Sequence, residues 1–349
     1  MDVSTISVDE WEEEVPDGGV SVFHRPETLR VVDRHVDGDL RLFVGHKGDR
    51  LVGMLPVYRR EHPVGSVAVS PPPGLGIPHQ GPMLLPASPK QRKRERLNRT
   101  FTEAVVDGLD DDAPFSLLRV VCLPEHADPR PFRWHGFDVA TQFTYRLDLD
   151  GVTTDEVRSG FSRSLRREID DAAEKPITVQ TEGVNGARCV YEDCVERYAE
   201  QGREYSLPWR FVRDLVVELR DRAQVYVARG PDDEYLGGIV ALYGDDTAYF
   251  WQGGVRHTYD GATTNSLLHW EILQDLVDHD TVEQYDLFGA NTARLCEYKS
   301  KFGGRLVPYY RVESSGPGMA LAKSAYSLAG RLGSVTNGGS QGRASSESD

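Results

Sequence analysis

Residues 41–58, RLFVGHKGDRLVGMLPVY, and residues 224–243, QVYVARGPDDEYLGGIVALY, carry one pattern twice. Each is an apolar run, a polar turn and a second apolar run, which reads as a β-hairpin. Aligned, Phe43 falls on Tyr226 and Val44 on Val227. After a turn two residues longer, Gly53 falls on Gly238 and Tyr58 on Tyr243. A recurrence at about 185 residues in a chain of 349 fits a domain made twice. Two related domains leave a cleft between them, where ligands are usually held. Two unrelated α+β domains are the competing reading, and strand order decides between them.

The length fits two domains. Residues 1–20 read as a mobile acidic leader, 21–148 as the first domain and 149–313 as the second. In the first, PETLRVVDRHV has a helical pattern, and the proline-rich stretch VSPPPGLGIPHQGPMLLPASP reads as a loop. Leu97, Phe101, Val105 and Leu109 fall on one helix face. The second runs helix, strand, two helices, three strands, helix, strand, short helix and last strand. This mixture with hairpins predicts an α+β fold, each domain a mostly antiparallel mixed sheet flanked by helices. Residues 314–349 open as a short helix and end in a Gly/Ser-rich stretch of disordered composition. A sharper reading gives that helix, at 319–332, a weak peripheral membrane contact.

Composition removes several function classes. No run of eighteen apolar residues is present, so no transmembrane segment is expected. The N-terminus lacks the apolar stretch of a secretory signal, which predicts a cytoplasmic protein. The four cysteines form no CxxC pair and the ten histidines no HExxH, so neither a metal site nor a disulfide framework is expected. The net charge is −15, with 33 arginines and only 7 lysines, a balance resembling that of halophilic proteins. Most surface carboxylates then serve solubility rather than a partner.

Against this acidic background two helices begin with cations. Lys90, Arg92, Lys93, Arg94, Arg96 and Arg99 open one, and Arg163, Arg166 and Arg167 open the other. Helix starts favour acids, so clustered cations there fit a nearby anion such as a phosphate. Two of the scarce lysines, Lys299 and Lys301, fall in YDLFGANTARLCEYKSKFGG, a strand, a glycine turn and a helix.

The order of the second half, with SRSLRREIDDAAEKPITV, YFWQGG, YDLFGA and YKSKFGG, resembles the GNAT (Gcn5-related N-acetyltransferase) superfamily and its Fem-type (FemAB-like) branch. The resemblance covers roughly residues 20–313 and implies two GNAT-like domains in tandem and acyl transfer to an amine. Asn291 followed by Tyr298 resembles a GNAT element whose tyrosine protonates the leaving thiolate. The ending departs from that element with Phe302-Gly303, and resembles a Fem-type pattern in which the lysine helps place substrate. The glycine-rich pyrophosphate loop of acetyl-CoA-binding members is absent from VRHTYDGATTNSLL. Fem-type members lack it too, and the resemblance leaves aminoacyl-tRNA open as donor.

Acyl transfer needs a base for the amine, a stabilised oxyanion, an acid for the leaving group and a clamp on both substrates. Asp286 is the candidate base, with a turn-capping role as its alternative, and Tyr298 is the candidate acid. Lys301 and Lys299 are candidates to hold a phosphate or neutralise developing charge. The backbone N–H groups of Gly253 and Gly254 are candidate oxyanion donors, and Arg163, Arg166 and Arg167 candidate donor contacts. No tightly bound cofactor is expected; acyl-CoA is the favoured co-substrate. The acceptor is a small-molecule or cell-envelope-precursor amine, tRNA is the less favoured partner, and a non-catalytic GNAT-like binding protein is the rival class.

Overall fold

In the computed structural model, residues 1–62, 65–86, 88–109, 116–278 and 282–314 are described. The tail expected from 314 onward lies, after Ser314, outside them. The first half contains β1 (Asp2–Ile6), α1 (Val8–Glu14), α2 (Pro26–His35), β2 (Asp39–Lys47), β3 (Arg50–His62), β4 (Gly65–Ser70), β5 (Met83–Leu84), α3 (Gln91–Leu109), β6 (Ser116–Val121), α4 (Arg130–Trp134) and β7 (Phe137–Asp148). Two helices, α5 (Thr154–Ser159) and α6 (Arg163–Ala173), lead to β8 (Thr178–Glu182), α7 (Val184–Glu200), α8 (Trp209–Leu219), β9 (Ala223–Arg229), β10 (Tyr235–Tyr243) and β11 (Thr247–Gly253). A small ribbon, β12 (Thr258–Tyr259) and β13 (Ala262–Thr263), precedes α9 (Thr264–Val277), β14 (Gln284–Asp286), α10 (Ala293–Lys299) and β15 (Arg305–Ser314).

The main sheet runs β1-β2-β3-β4-β6-β15-β7-β14-β11-β10-β9-β8, with β5 attached to β3. Read inward from either edge it is the same sheet. Three antiparallel pairings (β1/β2, β2/β3, β3/β4) are followed by the parallel pair β4/β6 and then antiparallel β15. From the other edge the antiparallel pairings β8/β9, β9/β10 and β10/β11 are followed by the parallel pair β11/β14 and then antiparallel β7. The fold is a tandem α+β duplication. Each parallel pair is joined by a crossover helix, α3 in one half and α9 in the other. The last strands are exchanged: β7 lies beside β14, β15 beside β6, and the two pair along their lengths.

Register corrects the hairpin alignment. Phe43 pairs with Leu55 and Tyr226 with Ile239, so the second turn is one residue longer, not two. Gly53 then corresponds to Gly237, and Tyr58 to Leu242. Side-chain direction alternates along a strand, so a one-residue slip puts each residue on the wrong face. The cores agree with the corrected register. Tyr58 and Leu242 share the cluster with Val212 of α8, whereas Tyr243 packs with Leu273 of α9.

The mobile leader expected over 1–20 is also corrected. Residues 2–6 pair with β2, and Ser7 and Glu10 form a capping box that starts α1. Trp11 is fully buried and its indole N–H donates to the His24 carbonyl at 2.9 Å. One apolar anchor outweighs the acidic composition around it. In α3, Phe101, Val105 and Leu109 are buried as their spacing predicts. Phe101 lies against Gly45 and Gly53, where an added Cβ would meet its ring at 2.8 and 2.9 Å.

Candidate active site

Parallel pairing in the second half stops where Tyr249 faces Asp286. Beyond that point β11 continues to Gly253, while the chain after β14 turns through Phe288 and Gly289, both at positive φ. Asp286 fixes this turn. Its carboxylate accepts from the Phe288 N–H at 2.8 Å, the Thr144 hydroxyl at 2.5 Å and Arg146 Nε at 2.8 Å. It is 1% exposed. A buried carboxylate engaged by these three donors has no exposed face to offer an acceptor amine. The structure therefore assigns Asp286 to the turn rather than to proton abstraction.

Lys299, at the end of α10, reaches back under the same turn. Its Nζ donates to the Phe288 carbonyl at 2.6 Å and the Gly289 carbonyl at 2.8 Å, and lies 5.7 Å from the centre of the Phe250 ring. An ammonium has three donors, so one remains. Lys299 is 4% exposed, and burial pulls its pKa down to about 8, with Asp286 opposing that shift.

Lys299 borders a hollow of about 590 Å³ shared by the two halves. The first half contributes the loop from Pro71 to Pro78, Arg119 of β6 and Gln142 of β7; the second contributes Phe250–Gly253, Tyr198 and Tyr205. Gln252 is fixed by the Tyr205 hydroxyl, and Trp251 donates to the Gly76 carbonyl at 2.9 Å. In a chain with 55 acidic residues, no Asp or Glu among the described residues lines this hollow, and the ionic groups there are Arg119 and Lys299.

Tyr298 belongs to an adjoining polar chain. Asn265 Nδ2 donates to its hydroxyl at 2.5 Å, which leaves the phenol's own proton free. Burial, with Glu168 adding to it, raises the phenol's pKa and keeps it protonated. Glu168 of α6 accepts from Ser266 at 2.7 Å and from Lys301 Nζ at 3.1 Å. Lys301 therefore meets a carboxylate rather than open solvent, and its backbone carbonyl accepts from the Ser162 N–H at 2.8 Å.

The start of α6 is thus docked beside Lys301, but its arginines do not line the hollow. Arg163 and Arg167 are exposed, Arg167 is 3.6 Å from Asp171, and Arg166 donates to the Ser159 carbonyl at 3.2 Å. Gly254 is corrected as an oxyanion donor, because its N–H is spent on the Gly238 carbonyl at 2.9 Å. Gly253 lines the hollow, and an added Cβ there would lie 2.2 Å from the same carbonyl.

Sequence reasoning missed Asn265, Ser266 and Glu168. The signal for the first two is TTNS, four small polar residues immediately before Leu267 and Leu268, all buried at the start of α9. Glu168 carries no such mark, because it is one acid among many on α6.

Residues 159–300 match the family model described as "Acetyltransferase (GNAT) domain". That match spans the turn at Asp286, Tyr298 and Lys299. Residues 159–300 are thus similar to a GNAT domain, and the tandem fold resembles that of solved Fem-type structures. The solved structure of FemX superposes with a TM-score of 0.65 at 11% identity, covering 89% of this chain and 97% of that one. L-PGS from Bacillus licheniformis gives 0.53 at 13% identity, covering 90% and 94%. The C-terminal domain of a putative lysylphosphatidylglycerol synthetase from Agrobacterium fabrum gives 0.52 at 15%, covering 92% and 97%. At these identities the likeness is one of fold. No curated protein matches the chain by sequence. No described helix is long and apolar enough to cross a membrane.

Proposed function

We propose that this GNAT-fold acyltransferase moves an acyl group from an acyl-CoA to an amine held in the carboxylate-free hollow, in the cytoplasm. The observation that carries this is Lys299: buried, pinned by two backbone carbonyls and left with one donor at the hollow. As the amine attacks, the carbonyl oxygen gains negative charge, and a pre-positioned, largely buried ammonium stabilises it without reorganising. Tyr298, protonated and free to donate, supplies the proton to the departing thiolate as the C–N bond forms and the C–S bond breaks, and the proton lost by the attacking nitrogen returns to the phenolate through solvent. The resident carboxylate chain Glu168–Ser266 lies beside it. Positioning between the two halves supplies much of the remaining rate. The absence of carboxylates from the hollow favours an acceptor that carries an anionic group besides its amine. A small-molecule amino acid and a phosphate-bearing cell-envelope-precursor amine both meet that description.

A second donor, aminoacyl-tRNA, is favoured by one observation. Lys90, Arg92, Lys93, Arg94 and Arg96 are all exposed around the start of α3, whose first turn holds no acid. The deciding experiment offers the purified protein acetyl-CoA and a charged tRNA pool in parallel, each with a panel of amino sugars and amino acids, and reads acylated product by mass spectrometry. Transfer from acetyl-CoA, lost in Lys299→Met, is the expected result. Transfer from tRNA alone overturns the donor assignment, and transfer undiminished in Lys299→Met overturns the site.

A further inference from the structure

Strand β6 runs inside the sheet, paired with β4 on one side and β15 on the other. Its side chains alternate. Val120 joins Phe101 and Val105 of α3 in the core, whereas Arg119 and Val121 line the hollow that also holds Lys299. The register places Arg119 opposite Glu313 of β15, and Tyr309 of the same strand opposite Gln142 of β7. Arg119, Val121, Tyr309 and Gln142 therefore share one face of the sheet and form one side of the hollow.

A half-buried arginine on an inner strand is costly unless its donors are met. Arg119 Nε is buried and lies 3.6 Å from the Glu313 carboxylate, too far for a hydrogen bond. The two terminal amino groups make no hydrogen bond or ion pair among the described residues, and the side chain is 38% exposed. With Nε buried, the far end of the side chain and its four N–H donors remain to meet a ligand in the hollow.

A guanidinium presents a planar fork that fits a carboxylate or a phosphate through two parallel bonds. Glu313 distinguishes the two. Its carboxylate lies 3.6 Å from Arg119 and 3.4 Å from Arg311, so an anion held by Arg119 has a negative neighbour. A carboxylate brings one charge to that place, whereas a phosphate monoester brings nearly two. The single charge is the better match. Around Arg119 and Lys299 the wall is largely apolar, with Ile77, Val121, Trp251 and Phe288.

We infer that Arg119 is the specificity-determining residue of the acceptor site and takes the carboxylate of an apolar α-amino acid, whose amine faces the acyl group at Lys299. The assignment rests on the reading of this hollow as an acyl-transfer site, but its test does not require turnover.

Calorimetric titration of the full chain with L-phenylalanine, its primary amide and its phosphonate analogue tests this, alongside steady-state kinetics with acetyl-CoA. The expected result is saturable binding of phenylalanine, with the amide and the phosphonate weaker by roughly tenfold or more. Arg119→Gln should weaken phenylalanine by roughly the same factor and leave the amide unchanged. The KM for phenylalanine should rise in step, with kcat within about twofold of wild type. Arg119→Lys keeps the charge without the fork and should fall between the two. Equal weakening of acid and amide in Arg119→Gln overturns the assignment, and so does a phosphonate that binds wild type more tightly than the acid. Failure of wild type to bind any of the three overturns it as well. The wild-type comparison of the three ligands stands even where a variant fails to fold. Binding that depends on Arg119 without acetylated product supports this assignment and removes the acyl-CoA reading.

Discussion

Beyond the parallel pair β4/β6, the N-terminal half fills its own gap with backbone. The N–H groups of Gln80 and Gly81 both donate to the Val121 carbonyl, at 3.1 and 2.8 Å, and Ser70 Oγ donates to the Gln80 carbonyl at 2.9 Å. Beyond β11/β14 in the C-terminal half, the corresponding gap receives a side chain, Lys299, and opens onto a hollow. One pairing scheme thus gives a gap closed by backbone beside β4/β6 and a gap that opens onto a hollow beside β11/β14. The GNAT family match falls on the half that kept the gap open.

The largest effect that tests this contrast belongs to the turn that holds the C-terminal gap open. Asp286→Ala removes the buried carboxylate on Arg146, 3% exposed, and leaves that arginine only the more exposed Glu125 as an ionic partner among the described residues. Breaking a buried ion pair from one side costs about 3–5 kcal/mol, so chemical denaturation should show a loss of that size. If Asp286 were instead the base for the amine, its removal would abolish turnover with little loss of stability.

Lys299→Met comes next. Loss of a pre-positioned donor to an oxyanion lowers kcat by about 10²–10³, and the far-UV spectrum should be retained. The same group sets opposite pH trends for activity and stability. Activity should fall as pH rises through about 8, where the ammonium is lost. Between about 8 and the ordinary 10.5, the unfolded chain holds a proton that the folded chain has released. The lysine's contribution to stability therefore grows with pH over that window. Activity and melting temperature falling together above pH 8 would show that unfolding, not Lys299, sets the profile.

The gap closed by backbone gives a smaller effect of the other kind. A Cβ on Gly81 would lie 2.5 Å from Cys122 Cα, a backbone contact that cannot yield cheaply. Gly81→Ala should cost about 1–3 kcal/mol as overpacking. Its kcat per folded molecule should stay within twofold of wild type. A large kcat loss without destabilisation would mean that the N-terminal gap takes part in chemistry.

What the sequence yielded followed from local signals with a fixed period. The hairpin pattern revealed the duplication, and the scarcity of lysine drew attention to Lys299 in a chain that uses arginine elsewhere. The register of β3 on β10 was misread because glycines and tyrosines aligned better than faces did, and only the ladder distinguishes adjacent positions. The exchange of β7 and β15 left no trace, since a strand's sequence does not record which neighbour it joins. Asp286 looked catalytic because a carboxylate at a strand end has that appearance. Its partners Thr144 and Arg146 come from about 140 residues earlier. Spacing cannot report a contact of that range.

The smallest effect concerns the loop that precedes α9, where the duplicated halves differ in charge as well as in length. His257 Nε2 lies 2.8 Å from both oxygens of Asp193 on α7, and Lys175 reaches Asp260 at 2.8 Å. The hydrogen bond to Asp193 raises the His257 pKa above 6.5, against burial. Its contribution is therefore complete below 6.5 and fades as pH rises through the raised value. The imidazole is more than a third exposed, so water screens the pair and the contribution is well under 1 kcal/mol. Hydrogen exchange of residues 254–263 is the sensitive readout. Exchange there should quicken as pH rises above 6.5 through the raised value, after correction for intrinsic rates, and His257→Asn should remove the pH dependence. An unchanged profile in that variant would mean that Lys175–Asp260 alone holds the loop against the sheet.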